Sequence, residues 1–299
     1  MLTAYAHPSC KAILYRSECT ARNARMWLHK IGIGELADIY LSKIQVLYPV
    51  QESCSPDAVE EKWSRNGPLT IVFCGRDYEV KNGRMALEIF SRLSREFTTN
   101  RFVYIGEVPQ EELSGRCKQP TSVVYHPSLS HEQTLSVMRD AHVLFHPSKF
   151  EGLGIVFLEA AASGMAVVTA TGGAMRDVEE LFGTGGAMLV NRDSVGPSEE
   201  ASAFEANLRH ILSNPSVAKS MARHNFNLAT LGKLSPERNR RILQKVYENA
   251  MDRPAETPLT LDQIPYRNGP PLRLDSCQLE QDGRNCRREL NITETRFLL

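Results

Sequence analysis

The chain has 299 residues, 42% of them hydrophobic, enough apolar material for one or two domains with proper cores. Its 35 Lys and Arg balance 35 Asp and Glu, so no global field draws nucleic acid or an anionic membrane, and no nucleic-acid partner is expected. No apolar run approaches the roughly 18–20 residues that span a bilayer, and residues 1–8 lack the apolar stretch of a signal peptide.

Residues 11–17 suggest a short strand, and residues 20–31 a helix with Ala21, Ala24, Met26 and Leu28 as its apolar positions. Ile44 to Tyr48 reads as a second strand, stopped by Pro49. Residues 49–67 are polar and rich in Ser, Glu and Pro, the composition of a linker. From residue 68 the pattern becomes regular. Leu69 to Cys74 is a compact apolar run, as in a strand buried on both faces. A helix follows over 83–97 with Met85, Leu87, Ile89, Phe90 and Leu93 on its apolar side. Further strands at 102–106, 122–125, 142–146, 166–169 and 187–190 alternate with helices near 131–141, 154–164 and 175–182. Such alternation implies an α/β fold: a parallel sheet with helices on both faces, binding ligands outside the carboxyl ends of its strands. Residues 199–213, 215–230 and 235–251 read as three more helices. Ser213-Asn214-Pro215 and Ser235-Pro236-Glu237 serve as start signals for the last two. Beyond about residue 253 the periodicity disappears, and 253–299 reads as a disordered tail.

Seven cysteines, odd in number and without C-x-x-C spacing, indicate neither a disulfide framework nor a zinc site. A reducing compartment is the default, so the chain reads as cytoplasmic, free or peripheral to a membrane. Asn291-Ile292-Thr293 fits a glycosylation sequon, a string short enough to arise often by chance.

Two stretches carry chemistry. In Cys74-Gly75-Arg76-Asp77-Tyr78-Glu79-Val80-Lys81-Asn82-Gly83 a buried strand ends at a glycine, and a loop presents Arg76 and Lys81 before a helix. Two cations at a strand's carboxyl end suit a diphosphate; taken alone, they read more readily as a solvated basic loop. In His146-Pro147-Ser148-Lys149-Phe150-Glu151-Gly152-Leu153-Gly154 the glycines allow close backbone approach, and the helix that follows aims unpaired N–H groups at the loop. Glu151 by itself fits a helix N-terminal acid. Glu159 sits mid-helix among apolar residues 155–162, where a buried carboxylate needs partners. Tyr125-His126-Pro127 is a candidate lining for a nucleotide base. His126, His142 and Cys74 read as core or surface groups, and Glu111-Glu112 as a solvated loop.

Taken together, these strings resemble the motifs of the family-4 retaining glycosyltransferases, which have the GT-B fold. Gly75-Arg76 with Lys81 resembles G-R-x4-K-G, with Asn82 where the family often has glycine. Glu151 to Glu159 resembles the E-x7-E signature. Ser163 to Gly173 looks like A-x-G-x-P-V-V-x-S-x-x-G-G, with Ala166 for proline and Arg176-Asp177 where an acid normally follows the glycine pair, Asp177 being the candidate to substitute for it with a one-residue shift. The resemblance covers about residues 68–250 and implies a hexosyltransferase that needs no bound metal. Arg76, Lys81 and Glu151 would be catalytic. Gly75, Gly152, Leu153, Gly154, Ile155, Val156 and Glu159 would bind a UDP-, GDP- or ADP-sugar. The acceptor (glycan, lipid or small molecule) stays open.

By the same resemblance, residues 1–48 are a remnant of the N-terminal, acceptor-side domain, 49–67 a linker and 68–252 the Rossmann-like domain that binds the nucleotide sugar. On this resemblance the N-terminal domain is expected to be largely absent, either because the chain is a truncated product or because a partner polypeptide supplies the missing half. The helix at 235–251 is then expected to expose Ile242, Leu243, Val246 and Tyr247. The alternative readings are a non-catalytic nucleotide-sugar-binding fragment or subunit and, less favoured by the motif order, a sugar-nucleotide epimerase.

Overall fold

The computed structural model describes residues 2–30, 35–65, 67–114, 123–172, 175–183 and 185–252. The chain opens with a small layer: α1 (Leu2–Ala6), β1 (Ile13–Tyr15), α2 (Glu18–Lys30), α3 (Glu35–Ser42) and β2 (Ile44–Val46). β1 and β2 pair in parallel, Ile13 against Ile44. This layer has its own small core of Ala21, Leu28, Ala37, Tyr40 and Ile44. Met26, expected on the apolar side of α2, is 61% exposed, and Leu14, Trp27 and Ile39 also face solvent. Helices α1 and α3 carried too few periodic positions to be read from sequence.

The polar stretch 49–67, expected to be a linker, instead contains α4 (Pro56–Ser64). Its start signals are plain: Ser55 Oγ accepts from Ala58 N at 3.2 Å, and Pro56 occupies the first turn. Composition misled because the buried stripe is narrow. Val59 and Trp63 enter the main core, and the Trp63 indole N–H donates to Gly164 O at 2.9 Å.

The rest alternates: β3 (Thr70–Cys74), α5 (Gly83–Glu96), β4 (Arg101–Ile105), α6 (Gln110–Ser114), β5 (Val123–His126), α7 (His131–Asp140), β6 (Val143–His146), α8 (Ile155–Ala162), β7 (Ala166–Thr171), α9 (Arg176–Phe182) and β8 (Ala187–Asn191). Then come α10 (Glu200–Ser213), α11 (Pro215–Thr230) and α12 (Pro236–Asp252). Glu111 and Glu112, expected in a loop, lie within α6, and Glu112 pairs with Arg84 at 3.5 Å.

The six strands are all parallel, in the order β5-β4-β3-β6-β7-β8. Ile71, Val72 and Phe73 of β3 are wholly buried, as a central strand covered on both faces must be. With strand order running one way from β3 and the other way from β6, the right-handed rule for parallel crossovers puts α5 and α8 on opposite faces. α10 packs on α5, and α11 packs on α8 and β7. The strand order reverses between β3 and β6. Sheets of this kind take ligands in a crevice outside the carboxyl ends at such a point.

Two polar fastenings hold α4 and the N-terminal layer in place. The buried Lys62 ammonium of α4 donates to Ala141 O at 2.8 Å and Ser163 O at 2.6 Å, the carbonyls of the residues that cap α7 and α8. Those carbonyls have no partner within their own helices, so one cation closes two helix ends. Asn239 of α12 donates to Tyr48 O at 2.6 Å, tying that helix to the end of the N-terminal layer. Along α12, Tyr247 and Met251 are exposed, while Ile242, Leu243 and Val246 are half-buried. No helix among the described residues is long and apolar enough to cross a membrane. The expected tail, 253–299, lies outside the described residues.

Candidate functional site

The loop after β3 comes first. At Gly75 a Cβ would stand 2.8 Å from Lys81 Cβ, so the absence of a side chain lets the lysine stem lie across the strand end. Asn82 adopts φ 57°, ψ 42°, the left-handed region that glycine favours and asparagine tolerates better than most residues. This explains how asparagine serves where the resembling family often has glycine. α5 starts immediately after it.

The loop after β6 is stitched to the first. Lys149 N donates to Val80 O at 2.8 Å, and the buried Ser148 Oγ donates to the same carbonyl at 3.2 Å. Glu151 then reaches back: its Oε1 accepts from Lys81 Nζ at 2.6 Å and lies 2.7 Å from His146 Nε2. Burial would raise the Glu151 carboxyl, but His146 and Lys81 outweigh it and hold the group below its ordinary value. Burial pushes His146 down, against the pull of Glu151. With a carboxylate opposite, Nε2 is assigned as the donor. His146 stood inside the quoted motif but received no role from sequence. Its wholly apolar strand, Val143-Leu144-Phe145, was the signal that it would be buried.

The third element is α8, whose first residue follows Gly154. Gly154 has φ +69°, and a Cβ there would meet Phe157 at 2.5 Å, so both backbone and space require glycine. The first N–H groups of α8, at Ile155 and Val156, lack intrahelical acceptors and open on the same loop. One turn further, Glu159 is 7% exposed, and burial raises its carboxyl, opposed by His131 at 3.7 Å.

Glu159 and Arg76 line one cavity of about 510 Å³ together with Cys74, Gly75, Pro127 and His131. Burial, with Glu159 adding to it, pushes the Cys74 thiol up to about 11, which makes it a packing group. Of Tyr125-His126-Pro127, the proline lines this cavity; Tyr125 packs against Tyr104, ring centres 5.9 Å apart.

Arg76 and Glu159 share the wall of this cavity, whereas Lys81 and Glu151 pair with each other outside its lining, where Gly152 to Val156 also lie. Gly75 lies between the two pairs, lining the cavity and packing against the Lys81 stem. Asp177 does not join them. It is buried, accepting from Ser17 Oγ at 3.0 Å and Cys19 N at 3.3 Å, and so closes the start of α2. The one-residue shift that would have let Asp177 replace the resembling family's acid is thus unavailable, because its carboxylate is spent on the N-terminal layer. Gly173 lies outside the described residues. Among the described residues, no group of three or more His, Cys, Asp or Glu could hold a metal ion.

The architecture is shared with sucrose-phosphate synthase from Thermosynechococcus elongatus, at a TM-score of 0.59 and 15% identity, over 80% of this chain and 58% of that one. In sequence the chain is similar to glycogen synthase of Mycobacterium tuberculosis (strain CDC 1551 / Oshkosh), 30% identical over 165 residues, 53% of this chain and 37% of the relative. It is also similar to the phosphatidylinositol N-acetylglucosaminyltransferase gpi3 subunit of Schizosaccharomyces pombe (strain 972 / ATCC 24843), 28% identical over 144 residues, 44% of this chain and 32% of the relative. The chain thus spans only about a third of the length of these curated relatives. The family model described as "Glycosyl transferases group 1" matches residues 57–227, more than half of the sequence, and the chain belongs to that family.

Proposed function

We propose that this chain binds a nucleoside diphosphate sugar outside the carboxyl ends of β3 and β6 and takes part in transfer of the sugar to an acceptor with retention of anomeric configuration. The observation that carries this reading is that Arg76 and Glu159 share one cavity wall while Gly75, on that wall, packs against the stem of Lys81, which pairs with Glu151, all at strand carboxyl ends near the reversal of the sheet order.

In this reading Glu159 accepts hydrogen bonds from ribose hydroxyls, a task suited to a nearly buried carboxylate that lies 3.7 Å from the His131 ring. Ile155 and Val156 offer N–H groups, and Gly152, Leu153 and Gly154 offer close backbone approach, to the diphosphate and sugar. Arg76 and Lys81 stabilise the departing diphosphate as the bond to the anomeric carbon breaks and negative charge grows on the leaving oxygen. Glu151 has two tasks in sequence. Before the sugar nucleotide enters, it neutralises Lys81; afterwards its carboxylate, still oriented by His146, is available to the hexose hydroxyls.

Donor binding without transfer is a second reading. It is favoured by Leu14, Met26, Trp27 and Ile39 of the N-terminal layer, which face solvent and offer apolar surface to a partner. A thermal-shift series with UDP-, GDP- and ADP-sugars tests the common part. Selective stabilisation by one base is expected, lost in Arg76→Ala and Lys81→Ala. Equal shifts for all three, or shifts surviving in both variants, would overturn the site. Sugar transfer to added acceptors then separates the two readings.

A further inference from the structure

We infer that Arg192, which lies outside the motifs above, is a positioning residue that sets the alignment of Lys81 with Glu151. The inference deepens the proposed reading of this site and rests on it for its consequence, though its structural half stands without it.

Arg192 follows β8 directly. Its Nε donates to Glu200 Oε1 at 2.7 Å, at the start of α10. Its other two nitrogens grip the loop after β6: Nη2 donates to Pro147 O at 2.9 Å and Nη1 to Ser148 O at 2.5 Å. The guanidinium is about one-fifth exposed, so these charge-assisted bonds are little screened. Carbonyls at a strand end normally turn to water, and here a single planar fork fixes two in succession.

A trans peptide points its C=O and N–H in opposite directions. The Ser148–Lys149 peptide has its C=O on Arg192, and its N–H accordingly faces the other way, onto Val80 O. One peptide plane thus spans from the end of β8 to the loop after β3. Val80 is followed by Lys81, and Lys149 is two residues from Glu151. The plane that Arg192 holds therefore spaces the two halves of the ion pair. Glu200 holds the guanidinium in turn, so the start of α10 is part of the same brace. Sequence alone hides this role, because Arg192 touches neither charged partner and no motif covers its own position.

The test uses the ligand-free chain and three forms: wild type, Arg192→Ala and Arg192→Lys. Hydrogen exchange at the Lys149 amide reports the peptide plane, and exchange at Val167 and Val168 in β7 reports global stability. Lys149 exchange is expected to rise by at least about tenfold in Arg192→Ala and to be partly restored in Arg192→Lys, with β7 unchanged. Titration with whichever of UDP, GDP and ADP stabilises wild type best is expected to show affinity falling between about tenfold and a hundredfold in Arg192→Ala. Unchanged Lys149 protection, protection lost equally in β7, or unaltered nucleotide affinity despite faster Lys149 exchange would each overturn the positioning role. If no nucleotide stabilises wild type, the proposed function fails, whereas the exchange measurement still decides whether Arg192 holds the peptide.

Discussion

Lys62 offers a quantitative test of how the fold treats a cation it has buried. The side chain is 9% exposed and holds the ends of α7 and α8 through Ala141 O and Ser163 O. Burial lowers its pKa from the ordinary 10.5 to about 8, against a weak opposing pull from Cys54 and Asp140. The gap is worth roughly 3 kcal/mol at 1.36 kcal/mol for each tenfold change in proton affinity. Its sign follows from proton counting. Between pH 8 and pH 10.5 the unfolded chain keeps this proton and the folded chain gives it up, so unfolding free energy rises with pH through that window. Below about pH 8 the ammonium is charged in both states, and the native state carries the desolvation cost in full.

Lys62→Met removes the titration but leaves the two carbonyls without their donor, at a cost of about 1–3 kcal/mol each. At pH 7 the variant is therefore expected to lie near wild type or modestly below it. The decisive quantity is the difference between the two proteins as pH changes. Urea unfolding followed by far-ultraviolet circular dichroism at steps from pH 7 to pH 10 should show wild type gaining about 2–3 kcal/mol over Lys62→Met. A difference flat to within about 0.5 kcal/mol across that range would refute the view that Lys62 is desolvated.

Three further outcomes are expected. Gly154→Ala places a Cβ at φ +69° and against Phe157, so it should cost about 1–3 kcal/mol in urea unfolding and weaken nucleotide-sugar binding; a neutral effect on both would contradict the geometry. Asp177→Ala removes the acceptor for Ser17 and Cys19, and hydrogen exchange should rise across α2 while β3 amides keep their protection, a local loss of about 1–2 kcal/mol. Glu151, held below its ordinary value by His146 and Lys81 despite burial, contributes stability that is present above the unfolded carboxylate range and lost as pH falls through its own lower value. Nucleotide-sugar affinity should accordingly be flat near neutrality and drop only in acid, and a midpoint near pH 6 or above would assign the dependence to another group.

Much of the sheet was legible because its signal is local. Val143-Leu144-Phe145 and Ala166-Val167-Val168 are apolar runs whose length and flanking turns mark buried strands without knowledge of any partner. The same holds for Gly75-Arg76 and Gly152-Leu153-Gly154, whose position after a strand puts them at the carboxyl edge of any parallel sheet. The local signal is weak where a helix buries a narrow stripe under polar composition, as at α4, whose Ser55-Pro56 start lies among further Ser and Glu residues.

Sequence by itself determined the alternating elements, the family-like strings and the end of the sheet where they lie. Each of these depends on neighbours within a few residues. Only the tertiary structure decided the partnerships. Lys81 and Glu151 are 70 residues apart and meet because β3 and β6 become neighbours when the chain reverses direction across the sheet. His146 acquires its role from burial, Asp177 loses its expected one to Ser17 and Cys19, and Arg192 reaches a loop 44 and 45 residues upstream. A polar atom's partner is whichever complementary atom packing brings within about 3 Å, and that distance is a property of the folded chain, not of any stretch of it.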